Sequence, residues 1–140
     1  MKAKLLIPAL SLFVAANFSS CNKDNDKSKT ELLTQSGWKI IKEESDPGTG
    51  IYINEPIDDC SKDDVIQLKA DHTYATIIGI KCDPSDTDES GSWALSADEK
   101  TLSLDGDAAT IETLNGSSLV VVSSETFGGV TAKFRVTFGH

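Results

Sequence analysis

Apolar and polar residues alternate along most of this chain, from Gly37 to its end. The clearest case is residues 130–138, where one face carries Val, Ala, Phe, Val and Phe and the other carries Thr, Lys, Arg and Thr. A period of two is typical of a β-strand with one face in the core and the other in water. The pattern predicts eight strands, at about residues 37–43, 64–69, 73–79, 91–95, 100–104, 108–114, 118–124 and 129–138.

The links between these strands are short and rich in turn-forming residues, as at residues 70–72, 96–99, 105–107 and 115–117. Short links join antiparallel neighbours. We therefore expect an all-β, eight-stranded antiparallel up-and-down barrel, because closure removes the exposed sheet edges. A short N-terminal helix is expected at residues 30–35, where the only apolar residues, Leu32 and Leu33, would make it a plug or lid.

The first 20 residues have the pattern of a secretory signal peptide. Lys2 and Lys4 precede an apolar run over residues 5–18, which is shorter than the roughly 20 residues needed to span a bilayer. The small residue Ser20 directly before Cys21 resembles the lipobox of bacterial lipoproteins, and Cys21 is therefore the expected lipid anchor. The alternative is an ordinary cleavage site at residues 14–16, which would release a secreted protein.

The segment after this cysteine is strongly polar. Residues 22–30 contain no apolar side chain, so residues 21–30 are expected to form a flexible tether and residues 31–140 the folded domain. Lipid attachment would place the domain at the cell outer membrane. Charged residues just after the cysteine resemble surface-export signals only loosely, and both the periplasmic face and the cell surface remain open.

The net charge of the chain limits the classes of molecule that it is expected to bind. Its 140 residues include 13 Lys or Arg and 22 Asp or Glu, giving a net charge of −9, which becomes −11 once residues 1–20 and their two lysines are removed. Arg135 is the only arginine, and no run of three cations follows residue 20. Nucleic acid is therefore not an expected partner. The length also fits one domain and excludes a second, catalytic one.

The two cysteines of the folded part, Cys60 and Cys82, are expected to form a disulfide, as exported pairs usually do. A metal site is not expected, because the nearest additional ligands are the distant His72 and the terminal His140. Residues 86–91 match the first half of a calcium loop. Ala97 stands where that loop needs its closing acid, so a solvated acidic loop is the better interpretation.

Motifs of catalysis are missing from the sequence. It contains no G-x-S-x-G, no H-E-x-x-H and no phosphate-binding glycine loop, and His72 is the only interior imidazole. The acidic residues lie in polar runs that keep them ionised, which does not suit paired-carboxylate hydrolysis. We therefore expect neither an enzyme nor a cofactor.

A series of short motifs runs through residues 32–123. They are Leu33 with Gly37-Trp38, Cys60 with Asp63-Asp64, residues 70–74 (ADHTY), residues 79–82 (GIKC), residues 91–95 (GSWAL) and residues 102–104 (LSL). In order and spacing they resemble the lipocalin-like domain of small lipoproteins from Bacteroidota-type bacteria, although Asp71-His72 stands where the family usually has Asp-Gly. The resemblance implies an eight-stranded lipocalin-like barrel with a Cys60–Cys82 bridge, and it implies little about the ligand.

The aromatic residues suggest where a ligand would bind. Trp38, Trp93 and Phe134 are expected in the core, whereas Tyr52 and Phe127 lie in glycine-containing loops that would line an open end. Trp38, Tyr52, Tyr74 and Phe127 are therefore the candidate ligand-binding residues, with entry past residues 45–63 and 125–130. Two functions follow: a binder of a small apolar or amphipathic ligand, which the resemblance favours, or an interaction or inhibitor module with a filled barrel and a protein partner.

Overall fold

The computed structural model describes residues 27–140, so the predicted signal peptide, Cys21 and most of the predicted tether lie outside the described residues. One helix and nine strands are present in the described part. They are α1 (Lys29–Thr34), β1 (Lys39–Asp46), β2 (Ile53–Glu55), β3 (Val65–Leu68), β4 (Thr73–Ile77), β5 (Glu89–Leu95), β6 (Thr101–Leu104), β7 (Asp107–Leu114), β8 (Ser118–Phe127) and β9 (Val130–Gly139). The all-β prediction is confirmed, and β2 is an addition to the eight expected strands.

The strands form a single antiparallel sheet in the order β2-β1-β9-β8-β7-β6-β5-β4-β3. From β3 to β9 each strand pairs with the next, which is the expected up-and-down meander. The sheet curls so that its ends meet at one bridge, where Trp38 N–H donates to Ile66 O (2.9 Å) and Ile66 N–H donates to Trp38 O (2.8 Å).

Full closure of the barrel was expected, and that detail is wrong. The outer edge of β1 is occupied by β2, which pairs with residues Glu43, Glu44 and Ser45. The short β3 can therefore reach β1 only at its beginning, next to Trp38. The lipocalin-like curl of the sheet is kept, with a seam between β1 and β3 that one residue pair holds.

The helix α1 covers one end of this curled sheet, which we call the helix end. Ser28 caps it, since its hydroxyl accepts from the Glu31 N–H while the Glu31 carboxylate accepts from the Ser28 N–H. Leu32 and Leu33 are buried, the latter completely (0% exposed). The helix thus plugs the barrel, and it begins at Lys29, inside the segment that the sequence assigned to the tether.

The turn between β3 and β4 shows why the unusual Asp71-His72 pair is tolerated. His72 adopts a left-handed φ of 65°, a conformation that normally favours glycine. Its ring packs on Trp93, with 4.8 Å between ring centroids, and Asp71 Oδ1 accepts from Thr73 N–H at 3.0 Å. The strand pairing predicted on either side of this turn is confirmed.

The buried core lies toward the helix end. It consists of Leu33, Trp38, Leu68, Trp93, Leu102 and Leu119. Phe134 was expected there and is instead 40% exposed. Its side chain points to the inner face and is paired with Ser123. At this level the β8–β9 hairpin begins to extend beyond its neighbours, because β7 pairs with β8 only as far as Val122 and β1 pairs with β9 only as far as Lys133. Phe134 thus lies where the sheet narrows to two strands.

The opposite end, which we call the loop end, is formed by residues 47–63, 78–88, 105–106 and 128–129. The disulfide between Cys60 and Cys82 is present there, with 5.3 Å between the two Cα atoms, and it joins the two longest loops. Among residues 27–140, no helix has the length and apolar character needed to cross a membrane.

Candidate functional site

An apolar cavity of about 390 Å³ lies inside the curled sheet. Its volume falls within the roughly 300 to 1,000 Å³ typical of small-molecule sites. Most of its walls are aliphatic or aromatic side chains from the inner faces of β3, β6, β7, β8 and β9. They are Ile66, Leu68, Leu102, Leu104, Ala109, Leu119, Val121 and Phe138; Trp38, just before β1, and Ala108, which points to the other face of β7, also border the cavity.

Trp38 closes the helix end of the cavity and Trp93 belongs to the same buried core, and the polar atoms of both rings are satisfied. Trp38 is 1% exposed, and its Nε1–H donates to Leu33 O at 2.9 Å. Trp93 is also buried, and its Nε1–H donates to Lys69 O at 2.8 Å. Because both indoles find a backbone acceptor, they can be buried without leaving a donor unpaired.

Toward the loop end, the cavity has a polar rim built on Asp105. The Tyr74 hydroxyl donates to Asp105 Oδ2 at 2.8 Å, and Ser92 donates to Oδ1 through its backbone N–H at 2.7 Å and its hydroxyl at 3.2 Å. Asp105 has a left-handed φ of 49° in the tight turn between β6 and β7. A β-carbon at Gly91 would overlap the Asp105 carboxylate, so a side chain at this position of β5 would displace that carboxylate.

These hydrogen bonds fix the charge of the rim. The pKa of Asp105 is lowered, first by the Ser92 backbone N–H and then by the Tyr74 hydroxyl. The pKa of Tyr74 is raised, first because its hydroxyl donates to that carboxylate and then by burial. At neutral pH, Asp105 is therefore an anion and Tyr74 a neutral donor. Asp107 and Ser123 complete the polar part of the lining, which includes no Lys, Arg or His.

The structure brings two of the four candidate ligand-binding residues to this cavity. Trp38 forms its base and Tyr74 its rim. Phe127 lies at the tip of the β8–β9 hairpin, 67% exposed, and does not line the cavity. A role for any of these side chains in binding stays a prediction.

Tyr52 lies on the opposite, outer face of the sheet. Its ring packs against the Arg135 guanidinium, whose Cζ is 3.8 Å from the ring centroid. Arg135 Nε donates to Glu44 Oε2 at 2.8 Å, and Lys42 Nζ donates to Glu44 Oε1 at 2.8 Å. The Glu44 carboxylate, which is only 8% exposed, therefore has two cationic partners. The Arg135 and Lys42 hydrogen bonds lower the pKa of Glu44 to about 2. This part of the 45–63 segment covers an outer ion pair and not the cavity mouth.

The sequence interpretation missed the two carboxylates that line the cavity. Asp105 and Asp107 were assigned only to a turn, yet Asp107 falls in phase with the inward-facing Ala109 and Ile111. Continuing the alternation of β7 back toward its first residue would have placed one carboxylate on the inner face. The inward direction of Asp105 depends on its turn geometry and left no such signal.

The other candidate groups hold structural contacts. Within residues 27–140, no cluster of three or more His, Cys, Asp or Glu side chains could hold a metal ion. In the acidic loop, Asp86 accepts from Asp83 N–H at 2.7 Å and Asp88 from Ile78 N–H at 2.9 Å. His140 stacks on Trp38 with 4.1 Å between ring centroids, as His72 does on Trp93.

Comparison with known proteins gives the class of this fold. The model of the lipocalin-like domain family matches residues 35–121, more than half of the chain, so the protein belongs to this family. Barrels of about this size have an interior that side chains fill or that holds one small ligand. No curated protein sequence matches the chain.

Two solved structures of one mammalian protein are similar to it. A deswapped triple mutant of bovine odorant binding protein is 15% identical, over 75% of this chain and 72% of that chain, with a TM-score of 0.44. The complex of bovine odorant binding protein with a selenium-containing odorant is 14% identical, over 81% and 73%, with a TM-score of 0.47.

Proposed function

We propose that this protein binds a small apolar or amphipathic molecule inside its curled sheet, at the cell envelope. The observation that carries the proposal is the 390 Å³ cavity, whose walls are apolar and whose polar groups gather at one end. A filled barrel would favour the alternative, an interaction or inhibitor module. Phe134, one of the three aromatic residues expected to fill the interior, is largely outside the packed core, which supports the ligand-binding function.

A neutral fluorescent probe, N-phenyl-1-naphthylamine, tests this function. The chain from Asn22 onward contains every described helix and strand and is purified without detergent. We expect saturable binding at one site with a dissociation constant in the micromolar range, which corresponds to about 8 kcal/mol. Filling the cavity with Ala109→Phe should weaken binding at least tenfold, because Ala109 lines it.

The matched control is Thr110→Phe, which adds the same ring one residue later on the outer face, opposite Val122. It should leave the affinity unchanged within about twofold. Thermal melts of both variants show that they are folded, and Ser123→Phe gives a second filled cavity if Ala109→Phe is unstable. Absence of probe binding by the folded wild-type chain would contradict the proposed function.

We also propose that the domain is held at the outer membrane by lipid on Cys21. The support is the sequence: two lysines, an apolar run and a small residue directly before the cysteine. Cells fed an alkyne-labelled fatty acid should incorporate it into the wild-type protein, and Cys21→Ser should abolish the label. The double variant Cys60→Ser/Cys82→Ser, which keeps Cys21, should stay labelled. An unlabelled wild-type protein beginning at Asn17 would show plain secretion instead.

A further inference from the structure

The charged side chains that line the cavity are all acidic. Asp105 and Asp107 line it, and Lys, Arg and His are missing from the lining. A third carboxylate, Glu89, begins β5 two residues before Gly91 and so lies on the same face of that strand. The loop end of the cavity is therefore bordered by three acids, which we call the acidic rim.

The charge of this rim has no cationic partner among residues 27–140. The ion pairs in that part of the chain join Lys42 and Arg135 to Glu44, Lys62 to Asp59 and Arg135 to Glu112. Asp105 is held instead by neutral donors, the Tyr74 hydroxyl and Ser92. Neutral donors orient a carboxylate without cancelling its charge, so the negative potential at the rim persists.

The same hydrogen bonds also set the orientation of the two Asp105 carboxylate oxygens. Oδ1 accepts both Ser92 bonds, whereas Oδ2 accepts only the Tyr74 hydroxyl. An ionised carboxylate has about four lone-pair sites, so Oδ2 keeps capacity for a further donor. The β6–β7 turn places this carboxylate at the cavity lining, and Gly91 leaves the space that it occupies.

From this arrangement we infer that the cavity selects cationic amphiphiles, with an ammonium head group at Asp105 and Asp107 and an alkyl chain along the apolar wall. This inference rests on the proposed function and adds the charge class of its ligand. A fatty acid has the same chain but would bring a fourth carboxylate to the acidic rim. The rim attracts an ammonium group and repels a carboxylate, so the head group decides between chains of equal length.

Competition against N-phenyl-1-naphthylamine at pH 7 tests the inference with three ligands of twelve carbons: dodecylamine, dodecanol and dodecanoate. The amine is protonated and the acid ionised at that pH. We expect dodecylamine to compete at least tenfold better than dodecanoate, with dodecanol between them. The ratio should shrink as sodium chloride is raised from 10 mM to 500 mM, because salt screens charges near the surface.

Variants that remove negative charges test whether the acidic rim causes the preference for dodecylamine over dodecanoate. Asp105→Asn/Asp107→Asn should reduce the amine-to-acid ratio to less than about threefold, and Asp107→Asn alone, which leaves the Asp105 hydrogen bonds in place, should reduce it partly. Asp98→Asn removes one negative charge at the helix end, in the β5–β6 turn, and should leave the ratio unchanged. Thermal melts confirm that each variant is folded.

The outcomes separate this inference from the proposed function. Equal competition by dodecylamine and dodecanoate, or a preference that survives in the double variant, would overturn the inference and leave the ligand-binding function standing. Failure of the wild-type chain to bind the neutral probe would overturn both. Preference for the amine that depends on Asp105 and Asp107 supports both.

Discussion

Replacement of Trp38 by alanine is expected to lower the free energy of unfolding by about 3 to 5 kcal/mol, the usual cost of truncating a buried tryptophan. Trp38 is the largest side chain that is fully buried. It contacts the helix plug through its bond to Leu33 O, the base of the cavity, and the seam where β1 meets β3. Urea unfolding followed by circular dichroism measures the change, as a shift of the midpoint.

Trp38→Phe separates the two contributions of this residue. Phenylalanine keeps an aromatic ring in the core but cannot donate to Leu33 O, so we expect a smaller loss of about 1 to 3 kcal/mol from the unpaired carbonyl and the smaller ring. The matched control is Ile51→Ala, a truncation of a side chain that is 69% exposed. It should change stability by less than about 0.5 kcal/mol. A Trp38→Ala chain as stable as Ile51→Ala would show that the core does not depend on this ring.

The location of Trp38 and Tyr74 at the interior of the sheet could be predicted because both lie on strands or at their ends. An alternating pattern tells which face a strand residue occupies, and the inner face of a curled sheet is the wall of its interior. The same pattern gives the eight strands and their antiparallel order. These predictions depend only on neighbours within a few residues, and the structure confirms them.

The same reasoning fails where position depends on distant parts of the chain. Tyr52 lies in a long loop, where alternation assigns no face, and its partner Arg135 comes from β9. Phe134 has the expected inward direction but lies where β8 and β9 begin to extend beyond their neighbours, and a period of two does not tell how far each strand extends. The short strand β2 has no buried residue and so no hydrophobic pattern, yet it occupies the edge of β1 that would otherwise close the barrel.

The position of Asp105 in the acidic rim could not be predicted from the sequence for a third reason. The direction of Asp105 depends on a left-handed turn, a glycine in β5 and three hydrogen bonds, donated by Tyr74 in β4 and Ser92 in β5. Each of these is visible in the sequence only as an ordinary residue. Their combination places a charge on the cavity lining, and it is this charge, and not the apolar wall common to such folds, that gives the protein a testable ligand preference.

Removal of the disulfide by Cys60→Ser/Cys82→Ser is expected to lower the free energy of unfolding by about 3 kcal/mol. The bridge closes a loop with a sequence separation of 22 residues, and the chain-entropy estimate for a loop of that size gives this value. For a domain of this length, the melting temperature should fall by roughly 10 °C. Differential scanning calorimetry of the two chains measures the difference.

The two loops that the bridge joins also have other contacts. We therefore expect loss of the bridge to lower stability but not to alter the cavity. Asp64 Oδ1 accepts from Gly79 N–H at 3.0 Å and Asp63 Oδ1 from Ile80 N–H at 3.1 Å, so carboxylates of one loop hold the backbone of the other without the sulfurs. Neither cysteine lines the cavity. We therefore expect the double variant to bind N-phenyl-1-naphthylamine within about threefold of the wild-type affinity at 20 °C while melting at a lower temperature.

Reduction provides the matched control for this prediction. Dithiothreitol should lower the melting temperature of the wild-type protein to that of the double variant and should leave the double variant itself unchanged, because its only target is the bond between Cys60 and Cys82. Two results would contradict the account: a double variant that melts within 2 °C of the oxidised wild type, or one that loses probe binding while still folded. The second would mean that the bridged loops shape the cavity, whereas the structure places the lining on the inner faces of the strands and at the β6–β7 turn.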